Sequence, residues 1–252
     1  MQLCAFPVPA HECWLELSDH RPAVGAEVTA SIRVGQQFRG DSMPYLQHWT
    51  KRLSVTGPDG ERPAHAELGD DPAARFRVNV PGRHALLWES ERFTAEIPRL
   101  RFEAYLEEAG LFPLAENWLS RRPGLDTVRE VYYRYPKALF AAGASDPETL
   151  HPLGARLELV PLSDPYLHRV GDTMSFRVLF EGRPLAGALV RAIPRAAPET
   201  TTGARSGKDG TVSLQLKHSG LWLLNAVWLL PANETGFDWQ SLWASLTFAL
   251  PP

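Results

Sequence analysis

The stretch Glu27-Val-Thr-Ala-Ser-Ile-Arg-Val34 decides the fold class, because its apolar residues occupy alternate positions. In an extended chain these residues share one face, which is the pattern of a half-buried β-strand. Residues 75–80 repeat the alternation, and Pro58-Asp59-Gly60 supplies turn chemistry between such segments. Several short strands at this spacing predict an antiparallel sandwich.

The second half of the chain repeats this organisation. We predict strands at 156–160, 173–180, 189–193, 211–216, 221–229 and 241–250. Glu181-Gly182 and Lys208-Asp209-Gly210 are candidate tight turns between them. The layout is typical of a small prealbumin-like or carboxypeptidase-regulatory-like sandwich, an architecture that by itself implies no function.

The middle of the chain has a different period. Apolar residues at 102, 105, 106 and 109 predict an amphipathic helix that stops at Gly110. A second helix is predicted from Thr127 to Leu139, with Thr127 and Glu130 at capping-box spacing and Pro136 as a kink or end. The sequence therefore predicts a mainly β protein with two antiparallel sandwich domains, Ig-like or prealbumin-like. Residues 11–150 form the first, with a helical segment at 99–140, and residues 151–252 form the second.

The segment around His11 carries the main functional hypothesis. Pro-Val-Pro-Ala10 followed by His-Glu-Cys-Trp-Leu-Glu16 is typical of a mature N-terminus left by signal-peptide cleavage after Ala10, although residues 1–10 are too short for a complete leader. Cleavage there gives His11 a free amine, and the amine and imidazole together can chelate Cu(II) or Ni(II). The alternative is that His11 is an ordinary surface residue before a first strand.

Several segments taken together resemble one bacterial family. They are the stretch at 10–16, Phe102–Leu111, Arg129–Leu139, Pro152–Gly154, Leu157–Val160 and Asp238–Phe248. The family is an uncharacterised periplasmic one, formerly described as a nickel-uptake component or a periplasmic component of cobalt or nickel transport. The resemblance implies export to the periplasm, a β-rich fold, a link to divalent metals and a metal-uptake transporter as partner.

The candidate metal ligands are His11, Cys13 and His48. Cys13 lies two residues from His11 and would share its side of a strand, and it stands where members of the family typically have Phe. As a soft ligand it would favour Cu(I) or Zn over nickel. His48 would approach His11 if the first strands pair. For Cys13 and His48 a structural role in a core or a surface loop remains the alternative.

Composition and motifs exclude several functional classes. The net charge of −3 comes from scattered charges, so a nucleic-acid partner is not expected. The longest apolar run, residues 221–231, falls short of the roughly 18 residues that a membrane helix needs, so we do not expect an integral membrane protein. The sequence has no H-E-x-x-H, G-x-S-x-G, phosphate-loop or dinucleotide motif, and no enzyme is predicted.

Two hypotheses follow. The first is an exported, non-enzymatic protein that binds Ni, Co, Cu or Zn, or assists metal uptake, through a site including His11. The second is an interaction module without metal that binds a protein or a glycan through an exposed aromatic patch, to which Trp239 and Trp243 could contribute.

Overall fold

The computed structural model describes residues 12–143 and 151–252. The strands before the helical region are β1 (Glu12–Leu17), β2 (Glu27–Gln36), β3 (Arg39–Met43), β4 (Thr50–Gly57), β5 (Gly60–Pro63), β6 (Ala74–Arg77), β7 (Gly82–Ser90) and β8 (Phe93–Pro98). The helical region contains α1 (Arg99–Glu108) and α2 (Phe112–Ser120). The remaining strands are β9 (Thr127–Ala142), β10 (Leu157–Pro161), β11 (Thr173–Phe180), β12 (Arg183–Pro184), β13 (Leu189–Pro194), β14 (Thr202–Arg205), β15 (Thr211–Gln215), β16 (Gly220–Pro231) and β17 (Trp239–Leu250).

The strands form three sheets within the described residues. A nine-stranded central sheet has the order β14-β13-β16-β17-β9-β7-β4-β5, and β8 also pairs with β9. A second sheet joins β1, β2, β3 and β6, and a third joins β10, β11, β12 and β15. The mainly β fold predicted from the sequence is confirmed. Strand β9 pairs with β17 in parallel, whereas β9 pairs with β7, and β17 with β16, in antiparallel orientation.

The central sheet crosses the domain boundary predicted at residue 150. Strand β9 precedes that boundary and β17 follows it, yet the two strands are hydrogen-bonded neighbours. Alternate residues of β7 serve two cores, because Leu86 and Trp88 pack against the second sheet while Ala85 and Leu87 pack against the third. One sheet therefore separates an N-terminal core from a C-terminal core.

The helical region is shorter than predicted. Helix α1 confirms the helix predicted around residues 102–109, and α2 lies within the predicted helical segment 99–140 at a position for which no individual helix was predicted. The predicted helix over 127–139 is wrong, because residues 127–142 form strand β9. The far half of β9 is buried on both faces, so its apolar residues do not alternate with polar ones and a helical period can be read into them.

Helices α1 and α2 cover the end of the central sheet where β8, β9, β16 and β17 meet. Phe102, Leu106 and Leu119 are buried there against Trp239 of β17. Neither helix has the length and apolar character needed to span a bilayer. The helices thus close a third apolar cluster and bring Glu108, at the end of α1, near strand β13.

Candidate binding sites along strand β1

Side chains of β1 alternate between two surroundings, as expected for a strand. The odd-numbered residues Cys13, Leu15 and Leu17 are buried in the N-terminal core. The even-numbered residues Glu12, Trp14 and Glu16 face the second half of the chain, as their partners there show. Strand β1 is therefore a seam between the two halves.

Two side chains of β17 bind the backbone of strand β1. Ser245 Oγ donates a hydrogen bond to the Cys13 carbonyl oxygen at 2.6 Å, and Thr247 Oγ1 donates one to the Leu15 carbonyl oxygen at 2.8 Å. Ser245 and Thr247 are themselves buried. The backbone of β1 is thus fixed against the central sheet without being one of its strands.

The even-numbered side chains of β1 contact a second set of side chains that lies in β13 and just after it. That second set consists of Arg191, Ile193 and Arg195. Trp14, which is 1% exposed, packs with Ile193 in the middle of the seam. The two ends of the seam are charged: Glu12 lies 3.7 Å from Arg191 Nη1, and Glu16 Oε1 lies 2.7 Å from Arg195 Nη1. The two halves are therefore joined by an apolar contact in the middle of the seam and by an ion pair at each end. One polar opening lies beside each ion pair.

The first opening, which we call the Glu12 cavity, is small. It has a volume of about 20 Å³, which is room for about one water-sized group. Its polar lining consists of Glu12, Glu108, Arg191 and Asn225, and Trp243 forms an aromatic wall. These residues come from β1, α1, β13, β16 and β17. The cavity can hold an ion or a water molecule, but not an organic ligand.

Glu12 is poorly compensated in this cavity. It is 3% exposed, and its Oε2 atom accepts no hydrogen bond from any described residue. Burial raises the pKa of Glu12 to about 7, and the positive charge of Arg191 together with the backbone N–H groups of Gln37 and Phe38 only partly opposes this effect. Arg191 Nη1 lies closer to Glu108, at 2.7 Å, than to Glu12. At neutral pH the Glu12 carboxylate is therefore poised to take up a proton or another cation.

The second opening lies at the Glu16 end, and we call it the Arg groove. Its volume is about 270 Å³. Its lining consists of Trp14, Glu16, Arg33, Phe38, Arg39, Gly40, Arg195 and Pro198. Glu16 Oε2 pairs with Arg33 Nε at 3.0 Å and its Oε1 pairs with Arg195, so one carboxylate holds two guanidinium groups. The groove is the cationic counterpart of the Glu12 cavity.

A strained turn forms part of this groove. Gln37 and Phe38, which join β2 to β3, have positive φ angles of 52° and 61°. Two successive positive φ values belong to a type I′ hairpin turn, where Asn and Gly are usual. Phe38 keeps its place because its ring is buried and meets Trp14 edge to face at 5.5 Å. Packing against the seam thus offsets the backbone strain.

The residues predicted as metal ligands lie in three different settings. His11 lies outside the described residues. Cys13 is 3% exposed in the N-terminal core, and burial raises the pKa of its thiol to about 11. His48 is exposed on a single 3-10 turn and contacts Trp49 edge to face at 5.5 Å. Within residues 12–143 and 151–252, no group of three or more His, Cys, Asp or Glu side chains is arranged to hold a metal ion.

Sequence reasoning missed the polar residues of both openings. Glu12, Glu108 and Arg191 are separated by many positions in sequence and share no motif. The one available signal was the strand alternation of residues 12–17, which sets Glu12 and Glu16 on the face opposite Cys13. That alternation does not say which element lies opposite.

The amino-acid sequence matches the model of one known protein family. Residues 8–229 match the model of the family described as "Domain of unknown function (DUF4198)". The chain belongs to this family. No curated protein matches this DUF4198 chain in sequence.

Three solved structures align with the DUF4198 protein over most of their length. The two fibronectin type-III domain segment of chicken tenascin is 10% identical, with 96% of this chain and 99% of that one covered, at a TM-score of 0.23. The D0-D1 domain of intimin is 10% identical, with 93% and 96% covered, at a TM-score of 0.22. The FN1–FN3 domains of chicken CNTN1 are 8% identical, with 96% and 99% covered, at a TM-score of 0.23.

Proposed function

We propose that this DUF4198 protein is an exported, non-enzymatic protein that binds a divalent transition metal at the amino-terminal end of β1. The observation that carries the proposal is the Glu12 carboxylate, which is buried and leaves Oε2 without a partner among the described residues. A buried carboxylate is costly unless a proton or a cation neutralises it. The Glu12 cavity is the size of a single ion, and Glu108 adds a second carboxylate to its wall.

The donor chemistry explains why His11 belongs in this proposal. The Glu12 and Glu108 carboxylates and the Asn225 amide oxygen are hard donors, which by themselves suit Mg, Ca or Mn. Nickel, cobalt, copper and zinc favour nitrogen ligands, and His11 immediately precedes Glu12 in the chain. Where processing after Ala10 leaves His11 at the terminus, its freed amine is adjacent to Glu12 and supplies one nitrogen ligand. Its imidazole supplies the second, because a terminal residue is not held to the strand alternation that would place it on the Cys13 side. Cys13 contributes less, because its protonated thiol is enclosed in the N-terminal core.

Arg191 is the competing cation at this site. Its guanidinium lies 3.7 Å from Glu12, and a metal ion bound to the same carboxylate would meet that positive charge. Arg191 lies closer to Glu108, at 2.7 Å, and this contact neutralises part of the positive charge that a metal ion at Glu12 would meet. Metal affinity should therefore rise when Arg191 is replaced by Gln.

Calorimetric titration with Ni(II), Co(II), Cu(II) and Zn(II) tests the proposal on the chain beginning at His11. We expect at least one metal to bind more tightly than about 10 μM, a free energy near −7 kcal/mol. His11→Ala and Glu12→Gln should each weaken binding at least about tenfold, which corresponds to 1.4 kcal/mol. His65→Ala is the matched control, because that side chain is 58% exposed and lies outside both openings.

Two results would contradict the metal-binding proposal. One is the absence of binding tighter than about 10 μM for all four metals, since ordinary surface histidines reach that range. The other is a Glu12→Gln chain that binds as well as the unmodified chain. His48→Ala tests the remaining ligand predicted from sequence, and an exposed residue on a separate turn should have no effect. A bound metal would be passed to the uptake transporter that the family resemblance implies as partner.

An interaction module without metal is the second candidate. Its aromatic form has little support, because none of the eight tryptophans is exposed. Trp243 stacks on Tyr105 at 5.4 Å, and Trp239 meets Trp118 edge to face at 5.5 Å under the helices. The observation that favours a binding module is instead the Arg groove at the other end of the seam.

A further inference from the structure

We infer that the Arg groove binds a small oxyanion, of carboxylate or phosphate chemistry, through Arg33, Arg39 and Arg195. This site is separate from the Glu12 cavity and goes beyond the proposed metal binding. The groove brings together residues of β1, β2 and β3 with residues just after β13. It therefore exists only when the two halves of the chain are joined at the seam.

Charge is the first argument. Three guanidinium groups line the groove and one carboxylate, Glu16, opposes them, so the lining carries an excess of two positive charges. Arg39 is exposed and forms no ion pair with a described residue. An excess of fixed cations in a concave surface favours an anionic ligand.

The geometry of the arginines is the second argument. Glu16 engages Arg33 through Nε and Arg195 through Nη1, which leaves other N–H groups of both forks unpaired with it. The Arg195 guanidinium also lies over the Phe38 ring, 5.6 Å from its centroid. Such fixed forks recognise carboxylate and phosphate oxygens in pairs, and little side-chain entropy remains to be lost on binding. Glu16 thus acts as a positioning residue for the anion site.

The floor of the groove is the third argument. Trp14 is buried, and its Nε1 atom donates to no acceptor in the described part of the chain. The left-handed residues Gln37 and Phe38 form the turn that leads directly into Arg39. Strained backbone of this kind is frequent at ligand sites, where the surrounding structure maintains it. The volume of about 270 Å³ suits a compact ligand rather than a polymer.

Calorimetric titration of the metal-free full chain with citrate and, separately, inorganic phosphate tests this inference at constant low ionic strength. We expect binding tighter than about 1 mM for at least one of them. Tighter binding of citrate assigns a carboxylate ligand, and tighter binding of phosphate assigns a phosphate ligand. Arg39→Gln and Arg195→Gln should each weaken that binding at least about fivefold, whereas Arg101→Gln, an exposed arginine of α1 outside the groove, should not.

Failure of the anion site is distinguishable from failure of the metal site. Absence of binding for both anions, or equal weakening by Arg39→Gln and Arg101→Gln, would overturn the inference, since the latter shows a non-specific effect of net charge. Because Arg39 is exposed, Arg39→Gln should keep the circular dichroism spectrum and melting temperature of the unmodified chain. Glu12→Gln should leave anion binding unchanged, because Glu12 does not line the Arg groove.

Discussion

Replacing Lys137 with Met should strongly destabilise the protein. Lys137 of β9 and Glu158 of β10 form an ion pair between the central and third sheets, with Nζ and Oε1 2.6 Å apart. Their side chains are 4% and 3% exposed. Removing one partner of a buried pair typically costs 3–5 kcal/mol, because the other charge stays buried without compensation. Glu158 keeps backbone hydrogen bonds from Leu153 and Gly154, so we expect the lower end, about 3 kcal/mol.

Urea unfolding followed by tryptophan fluorescence at neutral pH measures this loss. The matched control is Lys51→Met, which makes the same substitution at a lysine that is 65% exposed and whose Nζ lies 3.9 Å from the Glu89 carboxylate. That pair should contribute less than about 1 kcal/mol. The double variant Lys137→Met/Glu158→Gln removes both charges and should recover more than half of the loss, because the glutamine oxygen can still accept from the backbone.

The reasoning fails in either of two cases. Lys137→Met could unfold within about 1 kcal/mol of the unmodified chain, which would mean that Glu158 is compensated by the backbone alone. Alternatively, the double variant could be no more stable than Lys137→Met. The loss would then come from the packing of the lysine stem rather than from an unpaired charge.

Three further predictions concern single residues. Burial raises the pKa of Glu130 from 4.5 to about 7, so its native form binds the proton more tightly than the unfolded chain and its contribution to stability is lost between about pH 4.5 and 7. Glu130→Gln should therefore match the unmodified chain near pH 4 in urea unfolding and exceed it by about 3 kcal/mol at pH 8, and a constant difference would refute this. Gln37→Gly should stabilise the chain by about 1 kcal/mol in the same assay by relieving a positive φ, and a loss of stability would contradict it. In a Cys4→Ser chain, Cys13 should react with a thiol reagent only after denaturation, and rapid native labelling would show that the thiol is accessible.

Strand alternation predicted much of the fold because many strands have one buried face. Strand β2 buries Val28, Ala30 and Ile32, as its sequence pattern requires. Strand β9 defeats the same rule, since near its end Leu139 and Ala141 face one core while Ala138 and Phe140 face the other. With both faces apolar the period of two is lost, and the spacing of the remaining residues resembles a helix.

The charged residues of β9 also show that sequence spacing did not predict the surroundings of this strand. In the helix predicted over 127–139, Glu130 and Arg134 would stand at the i, i+4 spacing of an ion pair, but in strand β9 they lie on one face with residue 132 between them. Glu130 is instead buried, with Tyr105 Oη donating to its Oε1 at 3.4 Å. The helical prediction therefore gave Glu130 a capping role, whereas in the strand its carboxylate is buried. Its true setting depends on a contact with α1 that no local pattern encodes.

The candidate sites were hidden because each is assembled from distant segments. The role of Glu12 depends on Arg191, and that of Glu16 on Arg195, across about 180 residues of chain. Nothing in a single sequence states that β1 lies opposite β13. His11 attracted attention because its chemistry is intrinsic to one residue, whereas the two openings acquire theirs only in the folded chain.

The two openings should act independently of each other. Glu12 and Glu16 are four residues apart on one strand, which corresponds to about 13 Å. Because salt screens a buried charge such as Glu12 less than an exposed one, the direct test of independence is that Glu12→Gln leaves anion binding unchanged. Trp14 is buried between them and separates the two openings along the strand. A cation site and an anion site can therefore share one strand, and the outcome of either titration leaves the other proposal standing on its own evidence.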